Sequence, residues 1–183
     1  MKTESTSKTC FVAAENGNQE KRLAPATPAS SKLAKIIASH PFLKDLDPHQ
    51  QRLLADCAME KSFEADEMIF REGDPANRFY LILEGKVVLE SYVQERGRVE
   101  IQKIEGGDVL GWSWLLPPYY WQFDARAIEP TKAIFFYGTP LRDEAENDHE
   151  FGYELYKRIA GIMLKRLQAT RRRLLECCSG KKI

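Results

Sequence analysis

Histidine is scarce in this 183-residue chain. There are three, His40, His49 and His149, and none lies in the stretch from Ser62 to Tyr137 that reads as β-structure. A metal-holding barrel needs a cluster of His and carboxylate ligands facing its lumen, so that chemistry has no ligands here. No two histidines share a strand, carboxylates such as Glu64, Asp66 and Glu67 read as solvated turn residues, and no enzyme activity is expected. Cysteine is almost as sparse. Cys10, Cys57, Cys177 and Cys178 include no C-x-x-C spacing, and two adjacent cysteines do not easily bridge each other, so a secreted disulfide framework is not indicated. Long hydrophobic runs are missing, which excludes a membrane-spanning helix. The basic-then-apolar layout of a signal peptide is missing too. Together these absences predict a cytoplasmic protein with reduced thiols and no membrane partner. Net charge is also lacking: 27 Lys and Arg cancel 27 Asp and Glu. The distribution is uneven, however. From Phe151 to the end there are nine Lys or Arg against two acids, a basic end on an acidic body and a weak sign of a partner.

Aromatic residues, by contrast, are concentrated. All three tryptophans, Trp112, Trp114 and Trp121, lie between Gly106 and Pro130, in GGDVLGWSWLLPPYYWQFDARAIEP. A glycine turn, an aromatic run, a double proline and more aromatics make a loop too apolar to be solvated and too rich in proline to be one helix. It is predicted to fold inward and line a pocket.

The rest of the chain supplies a scaffold. Residues 1–30 are rich in Ser, Thr, Asn and Lys without sustained periodicity and read as a disordered tail. Residues 31–183 read as one domain. Short helices are expected within 32–60: one capped by Ser31 and running to Ser39, then one opened by Asp47-Pro48, a capping residue followed by a first-turn proline. From Ser62 the period changes to two. Met68–Phe70, Phe79–Leu83, Val87–Val93, Val99–Ile104, Ala125–Ile128 and Lys132–Tyr137 read as short strands split by turns such as Glu84-Gly85 and Arg96-Gly97. Strands at this spacing over 61–138 predict a mainly β fold with flanking helices, a small barrel or jelly roll. An acidic connector is expected from Thr139 to Glu150. Over 149–178, Leu155, Ile159, Ile162 or Met163, Leu167, Thr170 and Leu174 recur at helical steps, an amphipathic helix longer than one small barrel can cover.

The pattern F-x-A-D-E-x-I-F-x-E-G-D-x-x-x-x-x-Y-x-I-L-x-G-x-V, read from Phe63 to Val87, resembles the β-roll of cyclic-nucleotide-binding domains. These are the effector domains of the catabolite activator protein group and of protein kinase A regulatory subunits. The helix before it, the glycine turn, the loop and Ala127 to Thr131 continue the likeness over roughly residues 40–175. The resemblance implies a double-stranded β-roll with short N-terminal helices and a long C-terminal helix. It also implies a homodimer seam along that helix, with Gly161 allowing close backbone approach, and a ligand site formed by the loop inside the roll.

The resemblance breaks where a nucleotide would be held. Nucleotide-binding members place Glu after the glycine of the loop helix, to accept from the ribose, and an Arg in Pro-Arg-Ser/Thr-Ala, to pair with the cyclic phosphate. Here Trp112 follows Gly111, and Tyr120-Trp121-Gln122-Phe123 stand where that Arg would be. Removing one partner of a buried charge pair costs about 2–5 kcal/mol, so cyclic AMP is expected to bind weakly or not at all in the usual pose. Two readings of the loop stay open. Gly111, Trp112, Ser113, Trp114, Trp121, Gln122 and Arg126, with Tyr119 and Tyr120, line a reshaped pocket for a flatter or more apolar ligand, or the rings fill the old cavity as packing. No cofactor is expected beyond an unidentified small-molecule effector. Regulators of this group carry a helix-turn-helix domain after the long helix; the sequence runs out within a few residues of it, so sequence-specific DNA binding is not expected. The basic helix end, with Lys165, Arg166, Arg171, Arg172 and Arg173, reads as favourable charge at a helix C-terminus with a solvated outer face, as a non-specific nucleic-acid contact, or as a dock for an acidic protein at Arg171, Arg172 and Arg173.

Overall fold

The computed structural model describes residues 28–179. The tail expected over 1–30 lies outside the described residues except for its last three, which begin a helix. That helix, α1 (Pro28–Ser39), starts before the expected Ser31 cap, and proline suits a first turn because its missing N–H has no intrahelical partner there. In α2 (Pro48–Asp56) the cap is the expected one: Asp47 accepts from the backbone N–H groups of His49 and Gln50 at 2.7 and 3.0 Å.

The helices end earlier than the sequence suggested, because Ala58–Phe63 is a strand, β1, paired with the last strand of the roll. Its solvent-facing charged residues obscure the period. After it come β2 (Met68–Phe70), β3 (Arg78–Glu84), β4 (Lys86–Val93), β5 (Gly97–Glu105), β6 (Val109–Leu110), a 3-10 turn (Trp112–Trp114), β7 (Asp124–Ala127) and β8 (Thr131–Tyr137). They form two four-stranded sheets of order β1-β8-β3-β6 and β2-β7-β4-β5, with antiparallel pairing throughout. This is the expected double-stranded β-roll.

Strict alternation along β3 and β8 makes one sheet serve two cores. Tyr80, Ile82, Ala133 and Phe135 face the other sheet and meet Val87, Leu89 and Ile104. Phe79, Leu81, Ile134 and Phe136 face the opposite way, into a layer of helices. There Phe79 lies stacked between Phe136 and Trp114, with centroids 4.4 and 5.2 Å away.

The acidic stretch after β8 is not an open connector. It folds as α3 (Gly138–Asn147), which buries Leu141 and seats Gly138 against Trp114. Asp148 then caps α4 (His149–Cys178), accepting from the N–H groups of Glu150 and Phe151. Phe151, Leu155 and Ile159 pack into the helical core. Beyond Ile162 the helix leaves that core, and arginines along it are aimed at carbonyl oxygens of the body. Arg158 donates to Phe42 and Lys44, Arg166 to Val109, and Arg173 to Ile101.

His40 sits at the base of this arrangement, 5% exposed, with Nδ1 accepting from the Phe42 N–H at 3.2 Å. Burial lowers its pKa, with Asp108 acting in the opposite direction. The folded state therefore takes up a proton less readily than the unfolded chain. Stability is fully present above about pH 6.5, the ordinary histidine value, and falls as the pH drops below it. Urea titrations from pH 7.5 to 5.5 are expected to show a decline, with a limiting slope of about 1.4 kcal/mol per pH unit from this group. The decline should be shallower in His40→Asn, whose side-chain oxygen can accept the same bond.

Candidate functional site

The loop expected to line a pocket does turn inward. Gly111, at φ +82°, begins the 3-10 turn in the left-handed region, and a Cβ there would stand 2.9 Å from the Trp121 ring. Glycine is thus required both for the turn and for the ring that lies over it. From Pro117-Pro118 the chain runs back along the 71–76 turn. Ala76 donates to the Tyr119 carbonyl at 2.7 Å, Trp121 to the Asp74 carbonyl at 2.9 Å, and Gly73 to the Trp121 carbonyl at 2.9 Å. These bonds fix Trp121, which stacks on Phe70 with centroids 4.0 Å apart and planes 14° apart. Arg142 caps the outer side of the loop, its guanidinium 4.2 Å from the Tyr119 ring centroid.

Beside the loop the rings leave a space of about 20 Å³, room for about one water, while a larger, mostly apolar space of about 530 Å³ runs from Leu89, Trp112 and Phe123 to α4. Of the seven residues the sequence nominated, Gly111, Trp112, Ser113, Trp121 and Gln122 border the smaller space. Gln122 is largely exposed and donates to the Tyr120 carbonyl at 3.0 Å.

Trp114 and Arg126 are placed elsewhere, and both assignments need correcting. Trp114 is 1% exposed in the helical core against Phe79, and its indole N–H has no acceptor among the described residues. Arg126 follows the period of β7. Ala125 and Ala127 face the lumen, so Arg126 projects from the other face. There its Nη2 donates to Glu90 at 2.5 Å and its Nη1 to Asp66 at 2.7 Å. The Glu90 hydrogen bond is the main cause of its raised pKa.

A cation does reach the lumen, from a place the sequence reading assigned to the outer face of the helix. Arg166 of α4 borders the residual cavity, with Nη2 donating to the Val109 carbonyl. Burial lowers its pKa to about 10. The available signal was position: Arg166 lies four residues after Ile162 and seven after Ile159, on the buried stripe of the helix. Gly161 borders the space between α4 and the roll, and a Cβ there would meet nothing within 4 Å. Of the basic cluster proposed as an acidic partner's dock, Arg171 and Arg172 are exposed, whereas Arg173 is engaged with the Ile101 carbonyl and lies 3.9 Å from Glu100.

Among the described residues there is no group of three potential metal ligands and no helix long and apolar enough to cross a membrane.

Residues 60–148 match the family model described as the cyclic nucleotide-binding domain. The chain is similar to the cAMP-dependent protein kinase regulatory subunit of Dictyostelium discoideum, 45% identical over 48 residues, which is 26% of this chain and 15% of that protein. It is also similar to the cAMP-dependent protein kinase type II regulatory subunit of Drosophila melanogaster, 34% identical over 77 residues, 42% of this chain and 20% of that one. The matched stretches therefore span a fifth or less of these relatives' length. Among solved structures, a candidate cyclic nucleotide-binding protein from Geobacter metallireducens GS-15 superposes with a TM-score of 0.67 at 28% identity, covering 77% of this chain and 99% of that one.

Replacing Arg126 tests the corrected placement. Arg126→Gln leaves Glu90, whose side chain is 7% exposed, without its closest cation, while Arg98 remains 3.6 Å away. Chemical denaturation should show a loss of about 2 kcal/mol, the low end for breaking such a pair, with the tryptophan emission of the folded protein unchanged because the loop is not touched.

Proposed function

Since residues 60–148 belong to the cyclic nucleotide-binding domain family, we propose that this chain is a non-enzymatic regulatory module whose roll is closed to cyclic nucleotide in the usual pose and whose output travels through α4. The observation that carries this reading is the filled lumen. Trp121 stacked on Phe70 leaves about 20 Å³ beside Gly111, Trp112, Ser113 and Gln122, against roughly 300–1,000 Å³ for a typical small-molecule site, and the larger space of about 530 Å³ that runs from Leu89, Trp112 and Phe123 to α4 is mostly apolar. The kinase relatives are regulatory subunits, which favours a regulatory role. The mechanism is a two-state one: whatever binds must prefer one position of α4 over the other, and the free energy available is that difference in affinity. A second reading, a cyclic-nucleotide receptor with atypical phosphate contacts, is favoured by one observation, the Arg166 guanidinium at the lumen.

Isothermal titration calorimetry with cyclic AMP and cyclic GMP separates the two. The closed-lumen reading expects no heat of binding in the micromolar range. Micromolar or tighter binding that weakens in Arg166→Gln sinks it in favour of the second.

The output helix is suited to pairing with a second copy. Tyr153, Ala160, Leu167 and Leu174 recur every seven residues, as do Tyr156, Met163, Thr170 and Cys177, and all eight are exposed. Tyr153, Leu167 and Leu174 are 66%, 67% and 62% exposed, which is unusual for apolar residues in register. This is the a/d spacing of a two-stranded coiled coil. An apolar groove of about 530 Å³ between α4 and the roll shares Ala160, Met163, Leu167 and Thr170 with that column, so a second helix laid along it would cover the groove as well.

A parallel pair brings Cys177 of the two copies together. Mild oxidation of the full chain is expected to give a cross-linked dimer that Cys177→Ser abolishes and Cys178→Ser does not. A monomer in sedimentation, with no cross-link, removes the dimer from the proposal.

A further inference from the structure

A second space lies beside α4, and it has a different character from both the lumen and the pairing groove. It is a cavity of about 450 Å³ between the helix, the β5–β6 edge of the roll and the turn after α1. Its volume is in the range of small-molecule sites, and it shares only Arg166 with the residual lumen cavity. Gly161 opens it. The helix presents no side chain at that position, and a Cβ built there would still meet nothing within 4 Å.

The walls are mixed in a specific way. Ile104, Val109, Ile162 and Ala169 supply apolar surface, while Arg158, Lys165 and Arg166 supply cations against a single acid, Asp108. The cations differ in how well they are satisfied. Arg158 donates to the carbonyls of Phe42 and Lys44 at 2.6 and 2.9 Å and lies 3.4 Å from Glu154. Lys165 is exposed. Arg166 is half-buried; burial lowers its pKa and the Asp108 charge acts the other way, and its hydrogen-bond partner is the neutral carbonyl of Val109. The Asp108 carboxylate is turned to its own loop, accepting from the Glu105 N–H at 3.2 Å. A guanidinium has five N–H donors, and one that is half-buried, bonded to a neutral carbonyl and reached by Asp108 only through space has donors left for the charge-assisted bonds of an anion.

We propose that this cavity is a binding site for a small organic anion, a carboxylate or phosphate monoester with an apolar body, whose head group pairs with Arg166 and whose body lies along Ile104, Val109 and Ile162 beside Gly161. The site is built half from α4 and half from the roll, so its occupant bridges the two. It stands apart from the exposed Tyr153–Cys177 column and shares Arg166 with the space beside the loop, so Gly161→Leu rather than Arg166→Gln separates it from a nucleotide bound there.

Calorimetry of the full chain with decanoate and with decyl phosphate, both below micellar concentration, tests the site, with decanol as the uncharged control. At least one anion is expected to bind saturably with one site per chain, and decanol at least about ten-fold more weakly, the scale of a charge-assisted hydrogen bond. Which anion binds tighter distinguishes a carboxylate ligand from a phosphate one. Arg166→Gln should weaken the anion by about ten-fold or more. Gly161→Leu keeps Arg166 but fills the cavity, and should also weaken binding by about ten-fold or more. It provides the decision if Arg166→Gln does not fold, as judged by circular dichroism. The proposal is overturned if neither anion binds saturably, if decanol binds as well as the anions, or if Gly161→Leu leaves anion affinity unchanged. Cyclic AMP binding retained in Gly161→Leu would assign the nucleotide to the lumen and leave the two sites separable.

Discussion

The stack of Trp121 on Phe70 is the contact from which the character of this roll follows. Two large rings 4.0 Å apart bury apolar area beside the loop, and flat overlap of this kind contributes beyond area alone. The stack makes demands on its surroundings. Gly111 must lack a Cβ beneath the Trp121 ring. The backbone on either side of Trp121 is pinned to the 71–76 turn by reciprocal bonds with Gly73 and Asp74. The loop thereby becomes part of the core, and the adaptable part of the molecule shifts outward, to the boundary between the roll and α4.

That boundary is held differently from the rest of the fold. The first half of α4 is fixed by Phe151, Leu155 and Ile159 in a dry core. The second half is spaced off the roll by long side chains, with cavities on both sides of Arg166. Close packing resists small displacements, whereas a helix standing on arginine struts has room to shift. Firm attachment at one end and loose attachment at the other suits an element that moves as a lever.

Much of the fold was legible because the code that specifies it is local. Asp47-Pro48 announces α2, Glu84-Gly85 and Arg96-Gly97 announce hairpins, and the alternation in β3, β4 and β8 gives the strands. What stayed hidden depended on tertiary pairing. β1 carries Glu60 and Lys61 on a solvent-facing edge and reads as a helix end until β8 lies beside it. The acidic stretch after β8 folds as a helix because α4 packs against it and Trp114 fits over Gly138. In the candidate site, the inward fold of the aromatic loop could be read from composition, but the division of labour among its rings could not. Trp112, Trp114 and Trp121 look alike in sequence. Trp114 stacks on Phe79 in the helical core, whereas Trp121 lies at the edge of that cluster, stacked on Phe70. Arg126 was misplaced by one strand face, the error that a period of two permits, and Arg166 was overlooked because a basic residue late in a helix has a sufficient local explanation.

The three arginines that hold α4 share a property with consequences for how such chains diverge. Arg158, Arg166 and Arg173 all grip main-chain oxygens, of Phe42, Lys44, Val109 and Ile101. A peptide oxygen is present whatever residue occupies the position. Substitution on the body side therefore leaves the attachment standing, and the constraint falls one-sidedly on the helix. In a set of related sequences, the arginines would persist while their receiving positions drift, and a search for covarying pairs across this boundary would miss the contacts that fasten it.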